Sequence, residues 1–291
     1  MSEVQVEPAR PLRWWKEALY GIAVYGVYSV VRNRFGSAGG DPRPAYGHAK
    51  DIVHVERWLH LFFEPHVQRW YLDLPGKGLI RGWNVYYGIA HFVVTFCVLV
   101  LLFRRDQHRY PLWRNTLAFT TFLAVIGFAA YSLMPPRLLD DPGQYGACQI
   151  YAPAAAADAV AKHEDHTAAC HKFGFVDTVE RYGGWISFGS QGYKDISNQY
   201  AAMPSMHIGW STWCALVLVP MFKKRWKKLL AALYPVITLM CIVVTGNHYW
   251  IDGVGGLLCL GFGYFIARAV TGRFSRRPSQ PERVTGQTLT A

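Results

Sequence analysis

Apolar residues along the chain gather in long runs divided by short charged stretches. Six runs are long enough, at roughly 20 residues, to cross a bilayer as helices. They are Trp14–Val31, Trp83–Phe103, Leu117–Met134, Met206–Phe222, Leu229–Gly246 and Tyr249–Ala267. The first carries Lys16 and Glu17 near its start and lacks the small-residue cleavage pattern of a secretory signal, so it reads as a retained helix. His48–Leu72 shows a second pattern. Ile52, Val55, Trp58, Leu59, Phe62 and Phe63 recur at helical spacing with charges between them, which predicts an amphipathic helix at the membrane interface. Its His48, His54, His60 and His66 fall six apart. Six residues turn a helix by about 600°, so these rings point in different directions and do not build a metal site.

The expected fold is all-α. It is a polytopic membrane protein: a six-transmembrane-helix bundle with an interfacial amphipathic helix and an extracytoplasmic cap. The cap is the insertion 138–200. A structureless loop that long is unusual, and "APAAAADAVAKHEDH" reads as a short helix followed by turns and short elements. "KHEDH" offers two histidines and two acids to a metal, or simply a solvated surface. Residues 1–11 form a polar cytoplasmic tail, 12–271 a single membrane domain without internal repeats, and 272–291 a disordered cytoplasmic tail.

Charge orients this bundle. The net charge of +11 would raise nucleic acid as a partner in a soluble chain. Here the cations cluster in Arg104–Arg114, Lys223–Lys228 and Arg273–Arg277. With six crossings all three lie on one side, together with both termini, and the positive-inside rule makes that side cytoplasmic. Residues 32–81 depart from the rule, with eight Lys and Arg against five acids on the outer side, a difference of +3. Hydrophobic residues make up 52% of the chain. The membrane is therefore the expected partner, and the plasma membrane the expected location. Cys148 and Cys170 fall in the outer insertion, where a disulfide persists if their geometry allows one. Cys97, Cys214, Cys241 and Cys259 sit in apolar runs as small fillers.

Three segments at the outer face carry candidate chemistry. In "NHYWID", His248 and Asp252 are four apart, on one face of a helix. The carboxylate accepts from one ring nitrogen and leaves the other free to attack. A structural His–Asp bond pinning the helix end is the plain alternative. In "MPSMH", Pro204 suits a first helical turn, which leaves the Ser205 and Met206 N–H groups free for an anion. His207 then stands beside that anion as a proton donor, or serves only as an interfacial anchor. In "PPR", Arg137 offers a guanidinium suited to phosphate, or snorkels to the interface. Together they describe a phosphoryl-transfer site.

"PSMH" (Pro204–His207) followed by "HYWID" (His248–Asp252) resembles the type-2 phosphatidic acid phosphatase superfamily, which carries Pro-Ser-Gly-His and a later His-x-x-x-Asp. The Met-Pro-Ser-x-His wording looks most like the branch containing inositol phosphorylceramide synthases. The similarity covers about 117–270 and is specific at the two motifs. It implies a six-helix membrane bundle with its site at the outer face. It implies His248 as nucleophile forming a phosphohistidine, Asp252 orienting it, His207 protonating the leaving group, and Ser205 and Arg137 holding phosphate oxygens. It implies no metal and no cofactor.

Two positions depart from the family pattern. The lysine expected seven before Arg137 is Ala130, and the arginine expected six before His248 is Ile242. Arg32, Arg34 and Lys194 are candidate substitutes. A phosphomonoester is nearly dianionic and a diester carries one charge. Fewer cations therefore favour moving a phosphate-linked head group, such as inositol phosphate, from a phospholipid or polyprenyl-linked donor to an acceptor hydroxyl. The alternative is a lipid phosphate phosphatase with water as acceptor. A non-catalytic lipid transporter fits less well, since it would place polar groups near mid-membrane.

Overall fold

The computed structural model describes residues 12–34, 41–75, 77–162, 170–183 and 199–275. Among them the elements are helical, with one isolated bridge between Leu133 and Ala201. Long helices are α1 (Trp14–Arg34), α4 (Lys77–Arg105), α5 (Tyr110–Ala130), α9 (Met206–Met221), α10 (Arg225–Val244) and α11 (Trp250–Ser275). Shorter ones are α2 (Pro42–Trp58), α3 (Glu64–Leu72), α6 (Cys148–Tyr151), α7 (Pro153–Lys162) and α8 (Thr178–Tyr182).

Among the described residues, four helices are long and apolar enough to span a bilayer: Leu79–Arg105, Tyr110–Ala130, Arg225–Val244 and Trp250–Gly272. Phe96, Phe122, Phe262 and Phe265 on them are each more than half exposed, an apolar surface of the kind that lipid covers. The chain is an integral membrane protein. Helix α9 is apolar but shorter, at 16 residues. Helix α1 has 21 residues and packs on α5, where Glu17 meets Arg114. That pairing lets α5 begin at Tyr110, seven residues before its apolar run. The helix also ends early. Tyr131–Met134 turn extended ahead of Pro135 and Pro136, because a residue before proline disfavours the helical region. Helix α11 continues to Ser275, so residues 272–275 of the expected tail are helical.

The stretch His48–Leu72 is not one helix. Helix α2 stops at Trp58, and His60 takes a positive φ of 59°. Pro65 stands at the start of α3. The face that packs inward is also not the one with the largest apolar side chains. Ala45, Tyr46, Ala49, Ile52 and Val53 are buried, while Val55, Trp58, Leu59 and Phe63 are exposed. The inward face joins Leu133, Met134, Leu138, Leu139, Phe173, Phe175 and Tyr249 in a single core. That core fixes the described part of 138–200 to the ends of the long helices. Asp140 strengthens it by accepting from the N–H groups of Phe173, Gly174 and Phe175 and from the Tyr151 hydroxyl. Cys148 and Cys170 are bonded as a disulfide.

The last helix packs by close approach inside the bundle. A methyl group at Gly256 would collide with the Ser205 carbonyl oxygen, and one at Gly263 would sit 2.7 Å from Thr120 Oγ1. Gly253 and Gly255 likewise face Ile208 and Pro204, whereas nothing lies within 4 Å of Gly261.

Candidate active site

The three segments singled out above converge at one end of the bundle, and main-chain bonds hold them there. The Ser205 N–H donates to the Asp252 carbonyl at 2.9 Å, which ties the start of α9 to the first turn of α11. The Arg137 N–H donates to the Gly246 carbonyl at 2.7 Å, which ties the 3-10 turn Pro136–Leu138 to the bend between α10 and α11. Gly246 has φ +66° and lies against the Arg137 backbone, a position that a side chain would strain.

His248 lies two residues ahead of α11 rather than within it, yet the expected pair forms. Its Nδ1–H donates to the Ala202 carbonyl at 2.8 Å and faces Asp252 Oδ2 at 3.2 Å. The same Oδ2 accepts from the Tyr249 N–H at 3.0 Å. With Nδ1 protonated, Nε2 keeps its lone pair. Burial pushes the pKa of His248 down to about 4; the Ala202 bond opposes that shift and the Arg137 charge adds to it. The ring is therefore neutral near pH 7.

His207 occupies the first turn of α9. Its Nε2–H donates to the Tyr87 carbonyl at 3.1 Å, and its ring stacks on Tyr87 with centroids 4.2 Å apart. The rings of His207 and His248 are 5.3 Å apart, centre to centre. Pro204 lies outside the helix, contrary to expectation: α9 begins at Met206 with Ser205 at its N-cap. The Ser205 N–H is not free either, since Asp252 takes it. The first-turn N–H groups of Met206 to Ile208 remain without partners inside the helix.

Arg137 is buried, not snorkelling. It bonds Asp177 through Nη1 and donates from Nη2 to Gln199 at 2.7 Å. Burial works against its charge, but Asp177 more than restores it, and its pKa lies above the ordinary value. Asp177 also caps α8, accepting from Val179 and Glu180 N–H. Sequence reasoning missed Asp177, Gln199 and Tyr87. Asp177 carried a signal, an N-cap residue with glutamate three positions later. Tyr87 acts through its carbonyl, which a sequence does not single out. Ala130 is exposed at the end of α5, and Ile242 is buried among Ile208 and Val243. Neither place supplies a cation. The side chains of Arg32 and Arg34, together with Lys194 and His163–His166 of the "KHEDH" stretch, lie outside the described residues.

Five polar atoms in the site are buried and have no hydrogen-bond partner: Arg137 Nε, Ser205 Oγ, His207 Nδ1, His248 Nε2 and Asp252 Oδ1. Buried polar groups are nearly always bonded, so orphans gathered in one place single it out as a candidate binding site. All five expected residues contribute one. A family model of the PAP2 superfamily matches residues 50–266. No curated protein and no solved structure matches the chain.

Proposed function

The chain belongs to the PAP2 superfamily, and on that premise we propose that it is a membrane phosphotransferase. Members of that superfamily are typically phosphatases or phosphotransferases acting on phosphate esters. The observation that carries the reading is the set of five unpartnered atoms. Arg137 Nε and Ser205 Oγ are unpartnered donors suited to phosphate oxygens, and His248 Nε2 is an unpartnered lone pair.

In the first step His248 Nε2 attacks phosphorus. The N–P bond forms, the P–O bond to the leaving alcohol breaks, and protonated His207 gives its Nδ1 proton to that oxygen. Ala202 and Asp252 hold the Nδ1 proton of His248 throughout. In the second step an acceptor hydroxyl attacks phosphorus, the N–P bond breaks, and His207 takes the hydroxyl proton. The cycle leaves both histidines as they began.

The donor is a phospholipid or polyprenyl-linked diester, and the acceptor is a sugar or lipid hydroxyl. The uncharged positions Ala130 and Ile242 support a singly charged phosphate. The surrounding topology is six crossings, with α1 and α9 added to the four spans described above. The site faces the extracytoplasmic side of the plasma membrane beneath the 138–200 cap, and both termini are cytoplasmic. Alternation of the helices supports this, because the basic segments at Arg104–Arg114 and Lys223–Lys228 fall at the end opposite to the histidines. The same residues would serve a phosphatase with water as acceptor.

Protein in liposomes, supplied separately with labelled phosphatidylinositol and phosphatidic acid, distinguishes the two by mass spectrometry of the products. Transfer of the head group to an added hydroxyl is expected. Release of inorganic phosphate alone would reject the transferase. Turnover retained in His248→Ala would sink the mechanism.

A further inference from the structure

Among the described residues, the unpartnered buried atoms beyond the five in the site belong to two acids: Glu56 Oε1 and Oε2, and Glu64 Oε2. Both residues are 0% exposed. Glu56 closes the last turn of α2 and Glu64 opens α3, and the bend at Leu59–Phe63 turns their carboxyl groups toward each other. On one straight helix they could not meet, since eight residues rise by about 12 Å. Among the described residues no lysine, arginine or histidine pairs with either. The donors that face the pair are main-chain ones: the Trp250 N–H lies 3.3 Å from Glu64 Oε1, and the Ile251 N–H faces Glu56. The Trp250 indole N–H in turn donates to the Leu61 carbonyl at 3.1 Å. Trp250 is the first residue of α11, two positions from His248 and two from Asp252.

The other titratable groups that face this pair are Asp252 and Tyr249. Burial pushes Glu56 up to about 10, with the charges of Glu64 and Asp252 adding to it. Burial also raises Glu64, and backbone donors oppose that shift. Two adjacent buried carboxylates facing a third acid, with no cation, cannot all be ionised.

We propose that Glu56 and Glu64 share one proton and act as positioning residues for the nucleophile, Glu64 fixing the first turn of α11 while protonated Glu56 bonds to its free oxygen. The idea rests on the proposed role of His248. The pair lies behind Asp252 and touches no substrate. Its work is to hold the main chain that sets the distance between His248 and Asp252.

Glu56→Gln supplies an amide N–H where the acid O–H stood, and Glu56→Leu supplies none. Glu56→Gln is expected to keep kcat within about twofold. Glu56→Leu is expected to lower kcat by about tenfold to a hundredfold with KM little changed, the cost of a misplaced reacting group. Two measurements do not depend on turnover. Infrared spectra near neutral pH should show a protonated carboxylic acid band that Glu56→Gln removes. The 15N shifts of His248 should report a single Nδ1–H tautomer in the wild type and in Glu56→Gln, and a mixture in Glu56→Leu. A missing band, Glu56→Gln as damaged as Glu56→Leu, or an unchanged tautomer in Glu56→Leu would each overturn the proposal. If His248→Ala retains turnover while these spectra come out as expected, the mechanism fails and the pair stands.

Discussion

Asp252→Asn keeps the shape of its side chain and removes its charge. Where a carboxylate alone holds a histidine, the same change lets the tautomer flip and costs about 10⁴ in rate. The expected loss here is smaller. The His248 Nδ1 proton has two acceptors, and the nearer is the Ala202 carbonyl at 2.8 Å, against 3.2 Å to Asp252. A main-chain carbonyl survives the substitution. The asparagine amide oxygen can still take the Tyr249 N–H, with its NH2 in the place of the unpartnered Oδ1. What disappears is one charged hydrogen bond, about 1.5–3 kcal/mol. At about 1.4 kcal/mol per tenfold, kcat should fall by about 10- to 150-fold. The assay is single-turnover transfer from a labelled phospholipid in detergent micelles, with His248→Ala as the floor. A fall to that floor would show that the carboxylate does more than orient the ring. An unchanged rate would show that it does nothing in the reaction.

Arg137→Lys replaces a fork that serves Asp177 and Gln199 by a point charge, and the loss of one charged bond should lower kcat/KM by about 10- to 150-fold; a Michaelis curve equal to wild type would refute the phosphate role. Gly256→Ala drives a methyl group into the Ser205 carbonyl and should destabilise the protein by about 1–3 kcal/mol. Gly261→Ala, where nothing lies within 4 Å, should be neutral or slightly stabilising; equal melting temperatures for the two variants would overturn the packing argument. Burial holds His248 at about 4 against an ordinary 6.5. As pH falls between these values the unfolded chain binds the proton first. The stability tied to a neutral His248 is therefore whole above about 6.5 and drains away toward about 4. Thermal melts should show a steeper acid slope in wild type than in His248→Gln, and identical slopes would refute it.

The helices and the two histidine motifs were legible because both are short-range patterns. Apolar runs place spans, and a His–Asp spacing of four survives even though His248 sits just outside the helix. What was not legible depended on partners far along the chain. Arg114 looks like a polar interruption before the third apolar run, but Glu17, 97 residues away, neutralises it within α5. Pro204 reads as a first helical turn until the contact with Gly127 and the bond from Ser205 to Asp252 push the helix start to Met206. The break between α2 and α3 did leave a trace. Proline is favoured in the first turn of a helix, and Pro65 stands there at the start of α3. The periodicity of Ile52 to Phe63 concealed that trace. Asp177 and Gln199 were invisible as partners of Arg137, since they stand 40 and 62 positions beyond it.

The Ser205–Asp252 bond and the bare Gly256 beneath the Ser205 carbonyl have a consequence for how such a catalyst can change. The spacing between the two histidines is set by main chain against main chain, with the buried Glu64 carboxyl group holding the Trp250 N–H behind it. Side chains exposed on the long helices, such as Phe96, Phe262 and Phe265, are therefore free to vary in size without altering that gauge. Any change at Gly256 would instead shift both histidines together, whatever the substrate.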